Sequence, residues 1–202
     1  MAQTKEHFDG IFSFVDSAFN PKQLKHYNLK EIAFFGRSNV GKSSLLNSLC
    51  KSKGLAKTSK TPGRTASINF FVNQKKNMHL VDLPGYGFAA TNRHDKAGWG
   101  TLINYYLEKT NNIKAAFILI DARRGIMDAD LNLIGLFKNY KIPFTAIITK
   151  ADKLTGKEKD DIYNNVLQEL ENTEYFLKEI FLTSSSKKTG LTELKKFVNR
   201  TI

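Results

Sequence analysis

A chain of 202 residues with 41% apolar and 25% charged residues suits one globular domain with its own core, and is too apolar to be disordered. Lys+Arg number 31 against 19 Asp+Glu, a formal net charge of +12, which leaves two readings open: a polyanionic partner such as RNA, or lysines that only solvate the surface. The single cysteine, Cys50, excludes an intrachain disulfide and a Cys-based zinc site and fits a reducing, cytoplasmic setting.

Residues 1–22 read as an N-terminal extension packing on a single domain of residues 23–202. Within the extension, FDGIFSFVDSAF is broken by Asp9 and Asp16, unlike a signal-peptide core, and no run of about 18 apolar residues occurs anywhere, so no membrane span is expected. Apolar runs then recur as IAFF at 32–35, INFFV at 68–72, MHLVD at 78–82, AAFILID at 115–121, PFTAIIT at 143–149 and IFLTS at 180–184. Helical patterns fall between most of them, at Lys42 to Cys50, Asp95 to Glu108, Asp128 to Asn139, Lys157 to Glu171 and Leu191 to Asn199. Alternation of this kind predicts an α/β domain with a mainly parallel six-stranded sheet and helices on both faces. INFFV and MHLVD are joined only by NQKKN, too short for a crossover, so one strand should be antiparallel. The stretch from Lys51 to Arg64 reads as a loop.

The first strand runs into Gly36, Arg37, Ser38, Asn39, Val40, Gly41, Lys42 and Ser43, which fits G-x-x-x-x-G-K-[ST] between a predicted strand and a predicted helix. The glycines let the backbone curl so that N–H groups and the positive helix end face phosphate oxygens. Lys42 supplies a charge for the β- and γ-phosphates, and the Ser43 hydroxyl, followed by Ser44, suits Mg²⁺. A chance match is on the order of one in a hundred for average residue usage, so the loop is read as a triphosphate site.

Thr149, Lys150, Ala151 and Asp152 follow the fifth apolar run, at the strand edge where α/β sheets bind ligands. A carboxylate at Asp152 accepts from both N1–H and the 2-amino group of guanine, a pattern adenine does not offer, and the Lys150 stem can lie along the base. In Asp82, Leu83, Pro84 and Gly85, Asp82 can hold Mg²⁺ through water and the Gly85 N–H can reach the γ-phosphate. Taken alone, each short motif reads better as an ordinary strand end or Pro-Gly turn; their order along one chain points to GTP and GDP.

These residues, with DLPGYGFA and KTPGRTASINFF, resemble the EngB/YsxC family of bacterial ribosome-biogenesis GTPases, over the chain from about Phe14 to its carboxyl end. The resemblance implies that Gly63, Arg64, Thr65, Ala66 and Ser67 form the first switch, with Thr65 joining Ser43 and Asp82 at Mg²⁺. It also implies that Thr183, Ser184 and Ser185 form the loop contacting guanine, although TSS departs from the usual S-A-[KL]. Lys42, Thr65 and Gly85 would then act on the reacting phosphate. Tyr86 stands where a glutamine often orients water, so slow intrinsic hydrolysis is expected. Asn39 has two readings: a ligand for potassium, as in potassium-activated relatives, or a residue that only shapes the loop. Trp99 is read as a packing residue, and the four scattered histidines form no metal spacing.

The favoured function is a monomeric, Mg²⁺-dependent GTP switch in assembly of the large ribosomal subunit, linked by the resemblance to division and septation, with no DNA partner. Lys51, Lys53, Lys57, Lys60 and Arg64 would face RNA beside the first switch. The alternatives are a GTP-regulated septum scaffold without RNA binding, and a P-loop small-molecule kinase, which leaves TKAD unexplained.

Overall fold

The computed structural model describes residues 11–52, 54–56, 67–73, 75, 77–87 and 93–202, with only the backbone of 93–97. The expected first-switch residues Gly63, Arg64, Thr65 and Ala66, together with Lys53, Lys57 and Lys60, lie outside them.

Among the described residues seven strands form one sheet: β1 (Ser13–Ala18), β2 (Lys30–Gly36), β3 (Ile68–Asn73), β4 (Met78–Asp82), β5 (Ile113–Asp121), β6 (Phe144–Thr149) and β7 (Phe176–Leu182). Their spatial order is β1-β3-β4-β2-β5-β6-β7. β3 is antiparallel to both its neighbours, β1 and β4, and the other pairs are parallel, as the short β3–β4 connection requires. The count is seven, against an expected six. The additional strand, β1, lies at the edge with its first residues exposed, so it lacks the continuous apolar run that marks a strand covered on both faces.

Among the described residues five α-helices cover the sheet: α1 (Lys42–Leu49), α2 (Arg93–Lys109), α3 (Asp128–Asn139), α4 (Gly156–Leu170) and α5 (Leu191–Thr201). Alternate residues of the central strands feed two cores. Ala33, Phe35, Val81, Ile118 and Ile148 pack with Ile103 and Tyr106 of α2, Leu133 and Phe137 of α3 and Val166 of α4. Ile32, Phe34, Leu80, Phe117 and Ile147 pack with Leu45, Leu46 and Leu49 of α1 and Leu194, Phe197 and Val198 of α5. Each of the Val, Leu, Ile and Phe side chains among them contributes roughly 1.5–3 kcal/mol by leaving water, which outweighs the weak helix preference of short segments such as α1. The consequence for function is positional: β2, β4, β5 and β6 are locked in register, so the loops at their carboxyl ends meet along one edge.

Two local devices sharpen that edge. Thr155 and Glu158 form a capping box in which Glu158 Oε2 accepts from the Thr155 N–H at 2.7 Å, starting α4 just beyond TKAD. Gly190, in the left-handed region with φ +73°, precedes α5, and a Cβ there would lie 2.0 Å from the Leu182 carbonyl oxygen. Any side chain at 190 would therefore push the end of β7 away from the helix.

Candidate nucleotide site

The loop from Gly36 to Ser43 joins β2 to α1. A Cβ at Gly36 would lie 2.8 Å from Val40 Cγ1 and 3.0 Å from Leu119 Cβ, and Gly41, at φ +104°, caps the helix. Glycine is thus needed at both ends of the curl. Asn39, also left-handed at φ 64°, is of a residue type that tolerates this conformation.

Contacts from the TKAD strand end hold the curl in place. The Thr149 hydroxyl donates to the Val40 carbonyl at 2.7 Å. Lys150 Nζ donates to the Asn39 carbonyl at 2.7 Å and to Asp121 Oδ2 at 2.8 Å. Arg123 Nη2 donates to the same Asp121 oxygen at 2.8 Å and Arg123 Nε to Oδ1 at 2.9 Å. Burial by itself would raise the Asp121 carboxyl, but the hydrogen bonds from Arg123 and Lys150 outweigh it and hold the group far below the usual carboxylate range. Asp121 was not singled out from sequence; the signal available was a carboxylate closing the apolar run AAFILID.

The base-reading candidates also converge. Asp152 lies in a single 3-10 turn (Ala151–Lys153) after β6, and Ser184, buried beyond β7, donates to Asp152 Oδ1 at 2.6 Å. This hydrogen bond is the first cause holding the Asp152 carboxyl below its ordinary value. The Ala151 N–H donates to the Thr183 carbonyl at 3.0 Å and the Thr183 N–H to the Ile148 carbonyl at 2.7 Å, so backbone hydrogen bonds tie the two loops together. Ser185 follows, half-buried.

At the phosphate end, the Lys42 ammonium pairs with the Asp82 carboxylate, and Ser43 and Ser44 open α1. Leu83 and Pro84 are buried, and Gly85 lies against the loop: a Cβ there would come within 3.0–3.2 Å of Ser38. The Arg37 side chain turns away from the curl. Its Nη2 donates to the Gly125 carbonyl at 3.2 Å, and its Nε is 3.3 Å from Asp130 Oδ2, without hydrogen-bond alignment. Ser67, buried, donates to Asn69 at 3.2 Å at the start of β3.

Tyr86 is buried and donates through its hydroxyl to Asp130 Oδ1 at 2.7 Å. Burial, and then the neighbouring Asp130 charge, push its phenol well above the ordinary value, so it stays a donor. Trp99 is indeed a packing residue, its ring 5.9 Å from that of Tyr86, but Nε1 also donates to the Pro84 carbonyl at 3.1 Å. Cys50 ends α1 half-buried, and burial pushes its thiol up to about 12, against a small opposing effect of Lys195. Little of it is therefore thiolate, the reactive form, at neutral pH.

The backbone cradle, the lysine and the carboxylate at Asp82 fit a nucleotide phosphate chain with a hard divalent cation, and the oriented Asp152 carboxylate fits guanine. Among the described residues no group of three or more His, Cys, Asp or Glu could hold a metal by itself.

The family described as 50S ribosome-binding GTPase matches residues 31–150. The probable GTP-binding protein EngB of Rickettsia bellii is 45% identical over 182 residues, covering 90% of this chain and 84% of the relative; that of Rickettsia akari is 43% identical, covering 93% and 87%. Among solved structures, a probable GTP-binding protein EngB superposes with a TM-score of 0.65 at 23% identity, covering 85% of this chain and 98% of the other. A variant of Era from Aquifex aeolicus bound to GDP·AlF4− superposes at 0.67 with 22% identity, over 87% and 57%. These two structural likenesses carry the fold.

Proposed function

Since the chain belongs to the EngB family of GTP-binding proteins and to the 50S ribosome-binding GTPases, we propose that it is a slow, Mg²⁺-dependent GTP switch acting on the large ribosomal subunit. The observation that carries the guanine assignment is the buried Ser184 hydroxyl holding Asp152 as an ionised, aimed acceptor.

Each part of the reading has a residue behind it. N–H groups of the loop from Gly36 to Ser44 bind the phosphates, Thr149 and Lys150 fix that loop against the base site, and Lys42 neutralises the β- and γ-phosphates. Ser43, Thr65 and Asp82 would hold Mg²⁺, which supplies charge neutralisation at the reacting phosphate. For that, Lys42 must exchange Asp82 for phosphate. Hydrolysis is slow because the Tyr86 side chain is buried on Asp130 and offers no group to align water. Asn39 and potassium stay within the proposal: the left-handed backbone and the Lys150 bond explain a loop-shaping role, while a potassium role rests on the family pattern.

The switch works in the cytoplasm as a monomer, on rRNA and ribosomal proteins, and a septation defect on its loss follows from poor ribosome supply. The basic first-switch segment, including Lys57, Lys60 and Arg64, is proposed to meet rRNA when Thr65 joins the metal. Among the described residues no helix is long and apolar enough to cross a membrane. Co-sedimentation with purified ribosomal subunits tests this directly. Retention on the large subunit with a non-hydrolysable GTP analogue and release with GDP is expected; equal retention in both would overturn the switch.

A further inference from the structure

Three segments distant in sequence meet at one buried carboxylate. Asp130, in the first turn of α3, is fully buried. Its Oδ1 accepts from the Tyr86 hydroxyl at 2.7 Å, and its Oδ2 accepts from the Met127 N–H at 2.9 Å. Arg37 of the phosphate loop packs its guanidinium against the same Oδ2 at 3.3 Å. A carboxylate removed from water is retained only when its lone pairs and charge are met, and here the phosphate loop, the loop after β4 and α3 meet them jointly.

The backbone consequence falls on the phosphate loop. With its ring anchored, Tyr86 pairs with Arg37 as an extra parallel bridge beyond β2 and β4. The Ser38 N–H donates to the Tyr86 carbonyl at 2.9 Å, and the Tyr86 N–H donates to the Gly36 carbonyl at 3.3 Å. Gly85 is pressed against Ser38, where even a methyl group would be in contact at 3.0–3.2 Å. The N–H groups at the start of α1 stay free of this bridge and can serve the inner phosphates. On the reading that the Gly85 N–H reaches a third phosphate, that phosphate would lie toward Ser38, which faces Gly85 and whose N–H is already taken.

We propose that Asp130 is a specificity-determining residue of the nucleotide site: by anchoring Tyr86 it keeps the Pro84–Tyr86 loop seated on Ser38, and so favours GDP over GTP. Asp130 touches no nucleotide and acts as a positioning residue. A diphosphate binds with the loop seated. A triphosphate binds only after Gly85 and Tyr86 leave Ser38, so part of its extra binding energy is used to undo the Tyr86–Asp130 bond. The inference rests on the reading of this site as a GTP site.

The protein carries its own reporter. Trp99 is the single tryptophan, bonded to the Pro84 carbonyl and edge-on to Tyr86, so its emission follows the seating of the loop. The test measures dissociation constants for GDP and for a non-hydrolysable GTP analogue, both with Mg²⁺, by calorimetry, together with Trp99 emission, in the wild type, Tyr86→Phe and Asp130→Asn.

In the wild type the analogue, and not GDP, should change Trp99 emission. Tyr86→Phe removes one hydroxyl and keeps the ring, and should lower the ratio of the analogue constant to the GDP constant by about tenfold, the size expected for one hydrogen bond to a charged group. GDP affinity should be unchanged. Asp130→Asn keeps an acceptor for Tyr86 but drops the charge, so it should shift the ratio in the same direction by less. If Asp130→Asn does not fold, Tyr86→Phe decides alone. An unchanged ratio, or equal weakening of both nucleotides, would make the Tyr86–Asp130 contact a packing feature and overturn the inference while leaving the GTP site intact. Failure of the wild type to bind either nucleotide would overturn the site reading, and the inference with it.

Discussion

Ser184 Oγ sits 2.6 Å from Asp152 Oδ1 and also accepts the Lys187 N–H at 3.1 Å, so a hydroxyl from the end of β7 aims the carboxylate at the end of β6. Removing the hydroxyl takes away the main hydrogen bond that aims Asp152 and lowers its carboxyl, leaving the Lys153 ammonium at 3.4 Å as a weaker, exposed partner. Ser184→Ala should weaken GDP and GTP alike, by roughly 10- to 100-fold for one lost charge-assisted hydrogen bond. Titration of both nucleotides checks it; an unchanged affinity would mean Asp152 is oriented by something other than Ser184.

Asp152→Asn should reverse the base preference. The amide donates where the carboxylate could only accept, which matches the 2-oxo group of xanthine and mismatches the 2-amino group of guanine. Competition between GTP and xanthosine triphosphate is the measurement, and equal GTP affinity in wild type and variant would remove Asp152 as the base reader.

Lys42 and Asp82 form an ion pair at the phosphate end of the site. Lys42→Ala should abolish most triphosphate affinity, and Ser43→Ala most of the Mg²⁺ dependence, with both variants folded because neither side chain belongs to the apolar cores. Circular dichroism alongside nucleotide binding separates the outcomes. Loss of the fold in either variant would show a structural role instead.

Glu31 offers a pH test remote from the nucleotide. It is 3% exposed at the start of β2, and its Oε2 accepts from the Tyr106 hydroxyl at 2.7 Å and the Thr110 hydroxyl at 3.1 Å. Burial raises its carboxyl above the ordinary value, more than those two donors lower it. The folded chain therefore holds this proton more tightly than the unfolded chain does. The contribution of Glu31 to stability is greatest below the unfolded value and falls as pH rises through the folded value. Glu31→Gln should melt higher than wild type at neutral pH, with the difference vanishing in acid. A lower melting temperature at neutral pH would show that the two hydroxyls favour the ionised form overall.

Asn39→Gly separates the two roles of that position. Glycine keeps the left-handed backbone seen at φ 64° and removes the side chain. If the side chain holds potassium, wild-type hydrolysis should be faster in potassium than in sodium at equal ionic strength, and the variant should lose that difference. A difference that persists in Asn39→Gly would leave Asn39 with a loop-shaping role alone.

The elements and most of the candidate site were legible in one dimension because their causes are local. Continuous apolar runs marked β2 to β6, a 3.6-residue pattern marked α5, and Gly36, Gly41 and Lys42 stand at fixed spacing because a curled backbone needs them there. Edge strand β1 was missed, since a strand half open to water carries no such run. What joins the site together is a matter of tertiary placement: Asp121 holding Lys150, Ser184 aiming Asp152, and Asp130 gathering Tyr86 and Arg37. Each of these is a single polar residue whose partner lies 29 to 93 positions away, and no periodicity records such a contact. Only the register of the strands brings the pairs within hydrogen-bond range, and only burial makes them strong enough to hold a loop.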